Sequence, residues 1–252
     1  MSHFTANEER HLASLRELTN CPYMDVECEE VGRITPSVED LPPLAEFNEK
    51  WSAVKLDGDM VSYALRFTEF GAYWSTLTGD DCDDGSEGEE VDDPTESEPP
   101  EIYGEFFLRP IHDILSQSAG PADAVETKFQ RTFLSELRVM DQTPRSGAGM
   151  LTYLRLSPGS GPLEVWYSDI AAIGIPPYPP GFIRMDITYS EYLDALILTK
   201  GTYGWQYLYT DISLTAGFSE TAEYLEGMLS LFPECFPGHD YSDLQARLEA
   251  RL

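Results

Sequence analysis

Apolar positions recur at helical spacing at both ends of the chain and alternate at strand spacing in the middle. The first segment, "TANEERHLASLREL", opens with Thr5 and Glu8 three residues apart, the capping-box pair in which each side chain satisfies the other's backbone N–H. Leu12, Leu15 and Leu18 follow near one face, and Pro22 breaks a connection over 19–28. "EDLPPLAEFNEKWSAV" reads as a second helix, with Pro42 and Pro43 in its first turn and Leu44, Phe47 and Trp51 at helical spacing. The period then changes. Val61, Tyr63, Leu65 and Phe67 alternate with Ser62, Ala64, Arg66 and Thr68, which predicts a half-buried strand after the turn signal "DGD".

Further along, "EFFL", residues 105–108, predicts a strand, and Pro110 a short helical turn. "FQRTFLSELRVMDQ" fits helix or strand equally. "GMLTYLRLSPGSGPLEVWYSDI" is a hairpin by its alternation and its turn residues. "GIPPYPPGF" forces extended backbone, because each proline fixes φ and removes a donor. Thr188 and Glu191 form another capping box. Tyr189, Tyr192, Leu193, Leu196 and Ile197 make a wide apolar stripe, expected to pack on the sheet that carries Tyr153 and Val165. Lys200 falls in the last turn of that helix and Gly201 at its C′ position. "FSETAEYLEGMLSLF" and "HDYSDLQARLEARL", the latter capped by Asp240, complete a helical tail over 212–252. No internal repeat is present. The predicted class is α+β, a mainly antiparallel sheet with helices packed against it, in one domain spanning 1–252.

Charge adds a feature that the periodicity misses. The stretch "TGDDCDDGSEGEEVDDPTESEPPE", residues 78–101, holds twelve carboxylates and no Lys or Arg. Its one aliphatic residue is Val91. It buries nothing to offset the entropy of ordering, so it is expected to be a flexible insertion. The whole chain, 252 residues with 42% hydrophobic positions, has a core's worth of apolar side chains but a formal net charge of −29. Such a surface repels phosphates and anionic lipid and attracts basic proteins. Direct nucleic-acid binding and membrane binding are therefore not expected. No apolar run approaches the ~20 residues of a membrane span. The N-terminus has no basic region followed by an apolar core, and Cys21, Cys28, Cys82 and Cys235 form no CxxC pair. Both point to a cytoplasmic protein with reduced thiols.

The usual catalytic signatures (GxSxG, GxxxxGK[ST], HExxH, and GxGxxG after a strand) are absent. "SGAGM" at 146–150 has no lysine in place for a phosphate cradle and reads as a turn. His112–Asp113 and His239–Asp240 are adjacent pairs without a second histidine at i+4. The acidic run fails the EF-hand register: with Gly85 at position six, Cys82 takes position three and Val91 position twelve. Neither a metal nor a cofactor is expected. The aromatic clusters "WYSD" and "GTYGWQYLYTD" are the residue types of interface anchors as well as of cores. With the carboxylates they give the candidate partner-binding set: Asp80, Asp81, Asp83, Asp84, Glu87, Glu89, Glu90, Trp166, Tyr167, Trp205 and Tyr207.

A hairpin, an extended strand and the capped helix "TYSEYLDALILTKGTYGW" resemble the C-terminal half of the SUKH superfamily, whose helix opens on S-F-x-x-F/Y-L; Tyr189 to Leu193 supply the matching positions here. "LPPLAEFNEKW" is similar to that family's early Leu-Pro segment, and "GEFFLRPIHDI" to its glycine-containing strand and short helix. The resemblance covers residues 41–52 and 101–205. It does not account for the acidic insertion or for the tail after Asp211. The superfamily groups bacterial immunity proteins with the yeast cell-wall assembly regulator and the Syd protein. It implies a non-enzymatic protein that blocks a cognate toxin, commonly a nuclease or deaminase that is basic because its substrate is a polyanion. The acidic run would then either steer such a partner or be a solvated insertion. Two other readings stand beside this one: an acidic enzyme using His112 and Asp113 as acid and base, and a nucleic-acid mimic that sequesters a DNA-binding protein. A homodimer is left open.

Overall fold

A computed structural model of the chain describes residues 4–54, 56, 58–77, 99–118, 127–158, 163–169, 181–215 and 217–252. The acidic insertion from 78 to 98, the tip of the predicted hairpin and most of the proline-rich stretch lie outside the described residues. Among those described, the fold is α+β, with eight α-helices and two antiparallel sheets of three and four strands.

Helix α1 (Ala6–Thr19) forms with its predicted capping box: the Glu8 N–H donates to the Thr5 hydroxyl at 3.1 Å and the Thr5 N–H to the Glu8 carboxylate at 2.8 Å. The same carboxylate is fully buried and accepts two bonds of 2.7 Å from the Arg66 guanidinium. Burial alone would raise its pKa, but the Arg66 bonds hold it below the usual value. Strand β1 (Met24–Val31) begins inside the stretch read as a connection. Its signal is the alternation of Met24, Val26 and Cys28 with Asp25, Glu27 and Glu29. The carboxylates suit an edge strand, where they discourage pairing with another chain.

The strand predicted at 61–67 is not formed. Residues Gly58–Tyr63 are helix α3, after a predicted second helix that is broken into two 3-10 turns around the short α2 (Leu44–Phe47). Met60 and Ala64, four apart, are the buried pair, and the Asn7 amide donates to the Tyr63 carbonyl at 2.6 Å. The strand comes one step later, as β2 (Phe70–Thr76), burying Phe70, Ala72 and Trp74. It lies between β1 and β3 (Tyr103–Leu108), both antiparallel to it.

Pro110 caps α4 (Ile111–Ser116). The ambiguous stretch after it is helix and then strand: α5 (Lys128–Glu136), with a capping box at Thr127 and Gln130, turns into β4 (Leu137–Gln142) without a loop. The predicted hairpin is β5 (Leu151–Arg155) and β6 (Glu164–Ser168), and β7 (Phe182–Arg184) completes the order β4-β5-β6-β7. One face of this sheet joins the main core through Leu154, Val165 and Tyr167. The other is covered by α5, whose Phe133 joins Leu137 of β4 in enclosing Trp166 in a second, small core.

Helix α6 (Tyr189–Thr199) lies between the sheets. The Tyr192 hydroxyl donates to Asp141 of β4 at 2.6 Å and to Thr152 of β5 at 3.1 Å. Leu196 and Ile197 instead border His11 and Ser14 of α1 and Phe70 and Phe106 of the first sheet, so the apolar stripe serves both sheets. Lys200 corrects its sequence reading. It is a buried left-handed residue (φ 51°) whose ammonium donates to the Ser14 hydroxyl and to Glu17, each at 2.7 Å. The tail after Asp211 belongs to the core. Leu225, Met228 and Phe232 of α7 (Ser219–Cys235) and Leu244 and Leu248 of α8 (Ser242–Glu249) are buried, and Phe232 stands 5.9 Å from the Trp74 ring. Each large apolar side chain so enclosed contributes about 1.5–3 kcal/mol relative to exposure.

Candidate protein-binding face

The parity of β2 and β3 builds the candidate site. Trp74 points into the core, so Tyr73 points out. Register then places Cys28 and Glu105 beside Tyr73, and Tyr103 beside Ser75. A short stretch after α6 extends the face. The Glu105 N–H donates to Gly201 and the Tyr203 N–H to Tyr103, so residues 201–203 run along the free side of β3. This brings the Tyr103 and Tyr203 rings into a stack at 6.4 Å, with Tyr224 of α7 edge-on to Tyr103 at 6.2 Å. All four tyrosines are half-buried.

Carboxylates sit among them. Glu101 accepts a bond from the Tyr103 hydroxyl at 2.5 Å. That bond, followed by burial, pushes the phenol's pKa up to about 12. Burial and then the charges of Glu27 and Glu105 raise that of Tyr73. Burial, with Glu105 beside it, takes Tyr203 up to about 12. The phenols thus stay protonated at neutral pH and offer ring faces and hydroxyls beside negative charge. Glu105 is the exception, being buried. The glycine-rich loop read as a turn wraps over it: the backbone N–H groups of Arg145 and Ser146 donate to its carboxylate at 2.6 and 2.9 Å, and the Ser146 hydroxyl at 2.5 Å. The loop's donors therefore bind the protein's own carboxylate. The Arg145 side chain pairs with Glu30 of β1.

The acidic segment starts and ends beside this face. The Thr76 N–H donates to the Ile102 carbonyl at 3.0 Å, and the Thr76 hydroxyl to the Pro100 carbonyl at 2.9 Å. Asp80, Asp81, Asp83, Asp84, Glu87, Glu89 and Glu90 lie outside the described residues.

The four aromatic anchors predicted from sequence are corrected. Trp166, Tyr167, Trp205 and Tyr207 are each at most 1% exposed. Trp166 is stacked edge-on by Phe133 at 4.7 Å, and its indole N–H donates to Glu164. The Tyr167 and Tyr207 hydroxyls both donate to buried Asp169, at 3.3 and 3.0 Å. Trp205 packs 4.7 Å from Tyr192, because Gly204 (φ 78°) turns the chain into a 3-10 helix that faces inward. Their burial is the physical reason they cannot anchor a partner. Of the two aromatic clusters only Tyr203 reaches the face. Tyr73, Tyr103 and Tyr224 were missed; the signal for the two strand residues was parity, each being next to an inward residue, Trp74 and Gly104, whereas Tyr224 lies on helix α7.

His112 and Asp113 are both about half exposed, with 3.4 Å between Nδ1 and the carboxylate. The ring leans edge-on against Phe47 rather than on a third polar group that would orient it. Among the described residues no cluster of His, Cys, Asp and Glu is placed to hold a metal ion, and no helix is long and apolar enough to cross a membrane. No protein-family model, curated protein or solved structure matches the chain.

Proposed function

We propose that this is a non-enzymatic binding protein that neutralises a cognate basic toxin in the cytoplasm, in the manner of a SUKH-type immunity protein. The observation that carries the reading is the face of Tyr73, Tyr103, Tyr203 and Tyr224 among Glu27, Glu30 and Glu101, at the foot of the acidic segment. Rigid phenols contribute anchoring area at low entropic cost, and carboxylates select a cationic counterpart. The net charge of −29 extends that selection to long range, where it acts on the association rate. The buried tryptophans have no part in this; they stabilise the scaffold.

The test is to read the gene immediately upstream, where this reading expects a large secreted protein with a toxin domain at its C-terminus, and to co-express that domain with this chain. Growth should be protected by the wild type and lost with Tyr103→Ala plus Tyr224→Ala, a pair on the surface of an otherwise intact fold. In binding kinetics the two-tyrosine variant should dissociate faster. Neutralising Asp80, Asp81, Asp83 and Asp84 to Asn should slow association and flatten its salt dependence beyond the physiological Debye length of about 8 Å. A neighbouring toxin domain that forms no complex, or a complex untouched by both sets of changes, would overturn the reading.

A further inference from the structure

A second site lies away from the tyrosine face. A cleft of about 680 Å³ opens between α4, α5 and the 3-10 turn at Glu49–Trp51. Arg138, the second residue of β4, lines it and is only 4% exposed. Its guanidinium lies over the Trp51 ring at 4.8 Å and donates to the Ser135 and Leu137 carbonyls at 2.8 and 2.7 Å. Its Nε has no hydrogen-bond partner. Among the described residues no carboxylate pairs with it. Among the described lining residues the one carboxylate, Glu136, is turned to Arg155 at 2.8 Å. Lys50, on the rim, has no ion pair among the described residues either.

Lys200, the other buried cation among the described residues, is paired with Glu17 at 2.7 Å. In a chain with 45 acidic residues, no carboxylate among the described residues meets Arg138. An uncompensated buried charge is among the costlier features a fold can carry, and burial without a counter-ion lowers the pKa of this arginine. A guanidinium in the cleft wall attracts an oxyanion, planar or tetrahedral. Thr132 and Ser135 add hydroxyls at the wall, and Phe47 and Leu115 add apolar surface for the body of an organic molecule. We propose that this cleft binds a small oxyanion-bearing molecule, a phosphate or a carboxylate, whose charge completes Arg138. The site is independent of the protein-binding face.

The experiment is thermal melting and calorimetric titration of the full chain with inorganic phosphate and, separately, with citrate, against chloride at equal ionic strength. One or both anions should raise Tm, by about 5–10 °C at a hundredfold excess over Kd. Phosphate alone would name a phosphate-bearing ligand, and citrate alone a carboxylate. Arg138→Met should weaken binding at least about tenfold. Lys50→Glu, a rim substitution that leaves the core untouched, should weaken it severalfold and keeps the test sound if the arginine variant does not fold. If neither anion moves Tm beyond chloride, or if the shift persists undiminished in the variants, the proposal is wrong.

Discussion

At the scale of single residues, two buried carboxylates do opposite things. Glu8 meets an arginine. Asp141 meets only dipoles: the Phe107 and Gln142 N–H groups, each at 2.8 Å, and the Tyr192 hydroxyl. Burial outweighs those bonds and raises its pKa from 3.8 to about 6. The folded state therefore holds this proton more tightly than the unfolded state. The stabilisation is complete below the unfolded value and is lost as pH rises through about 6. Asp141→Asn mimics the protonated form, and Tyr192 can then donate to Thr152 instead. The stability of the wild type relative to this variant should fall by of order 3 kcal/mol between about pH 4 and pH 7. Urea denaturation across that range measures it, and a difference that does not change with pH would show that Asp141 is not perturbed.

At the scale of elements, what was legible followed from local chemistry. The capping boxes at Thr5 and Thr188, the hairpin strands and the short helix after Pro110 form where the sequence puts them, because each signal is satisfied within a few residues. What was misread depended on distant partners. Residues 61–67 alternate like a strand, yet Asn7 and Glu8 of α1, far away in sequence, hold Tyr63 and Arg66 in another conformation. Likewise the aromatic residues of an interface and of a core are the same types, and only register against a neighbouring strand tells which way they face. Register also explains Gly104. It pairs with Trp74, whose indole N–H donates to the Lys200 carbonyl at 2.8 Å, and a Cβ there would lie 2.3–2.4 Å from the indole. Gly104→Ala should force β2 and β3 apart and cost about 1–3 kcal/mol or more, whereas Gly238→Ala, with open space around it, should be nearly neutral. Equal denaturation midpoints for the two variants would refute the packing described.

At the scale of the whole molecule, charge and fold are separable. Among the described residues one main apolar core runs from Leu12 to Leu248, and the sequence of 78–98 offers it a single aliphatic side chain, Val91. Removing 81–98 takes away ten carboxylates and no base, which brings the formal charge from −29 to −19. The shortened chain should melt at or above the wild-type temperature in low salt, with a weaker dependence of Tm on salt, since self-repulsion is reduced. A fall of more than about 5 °C would mean that the deleted residues support the core.

The Thr76 clasp has a consequence for how this protein can change. Because it fixes where the chain departs and where it returns, anything strung between Leu77 and Pro99 begins and finishes at one spot on the framework. Closing a loop twice as long there adds only about 0.6 kcal/mol. Length and composition at this junction are therefore free to drift, or to be exchanged by recombination, while the scaffold keeps its sequence. A laboratory could place a reporter or an unrelated binding peptide in the same slot.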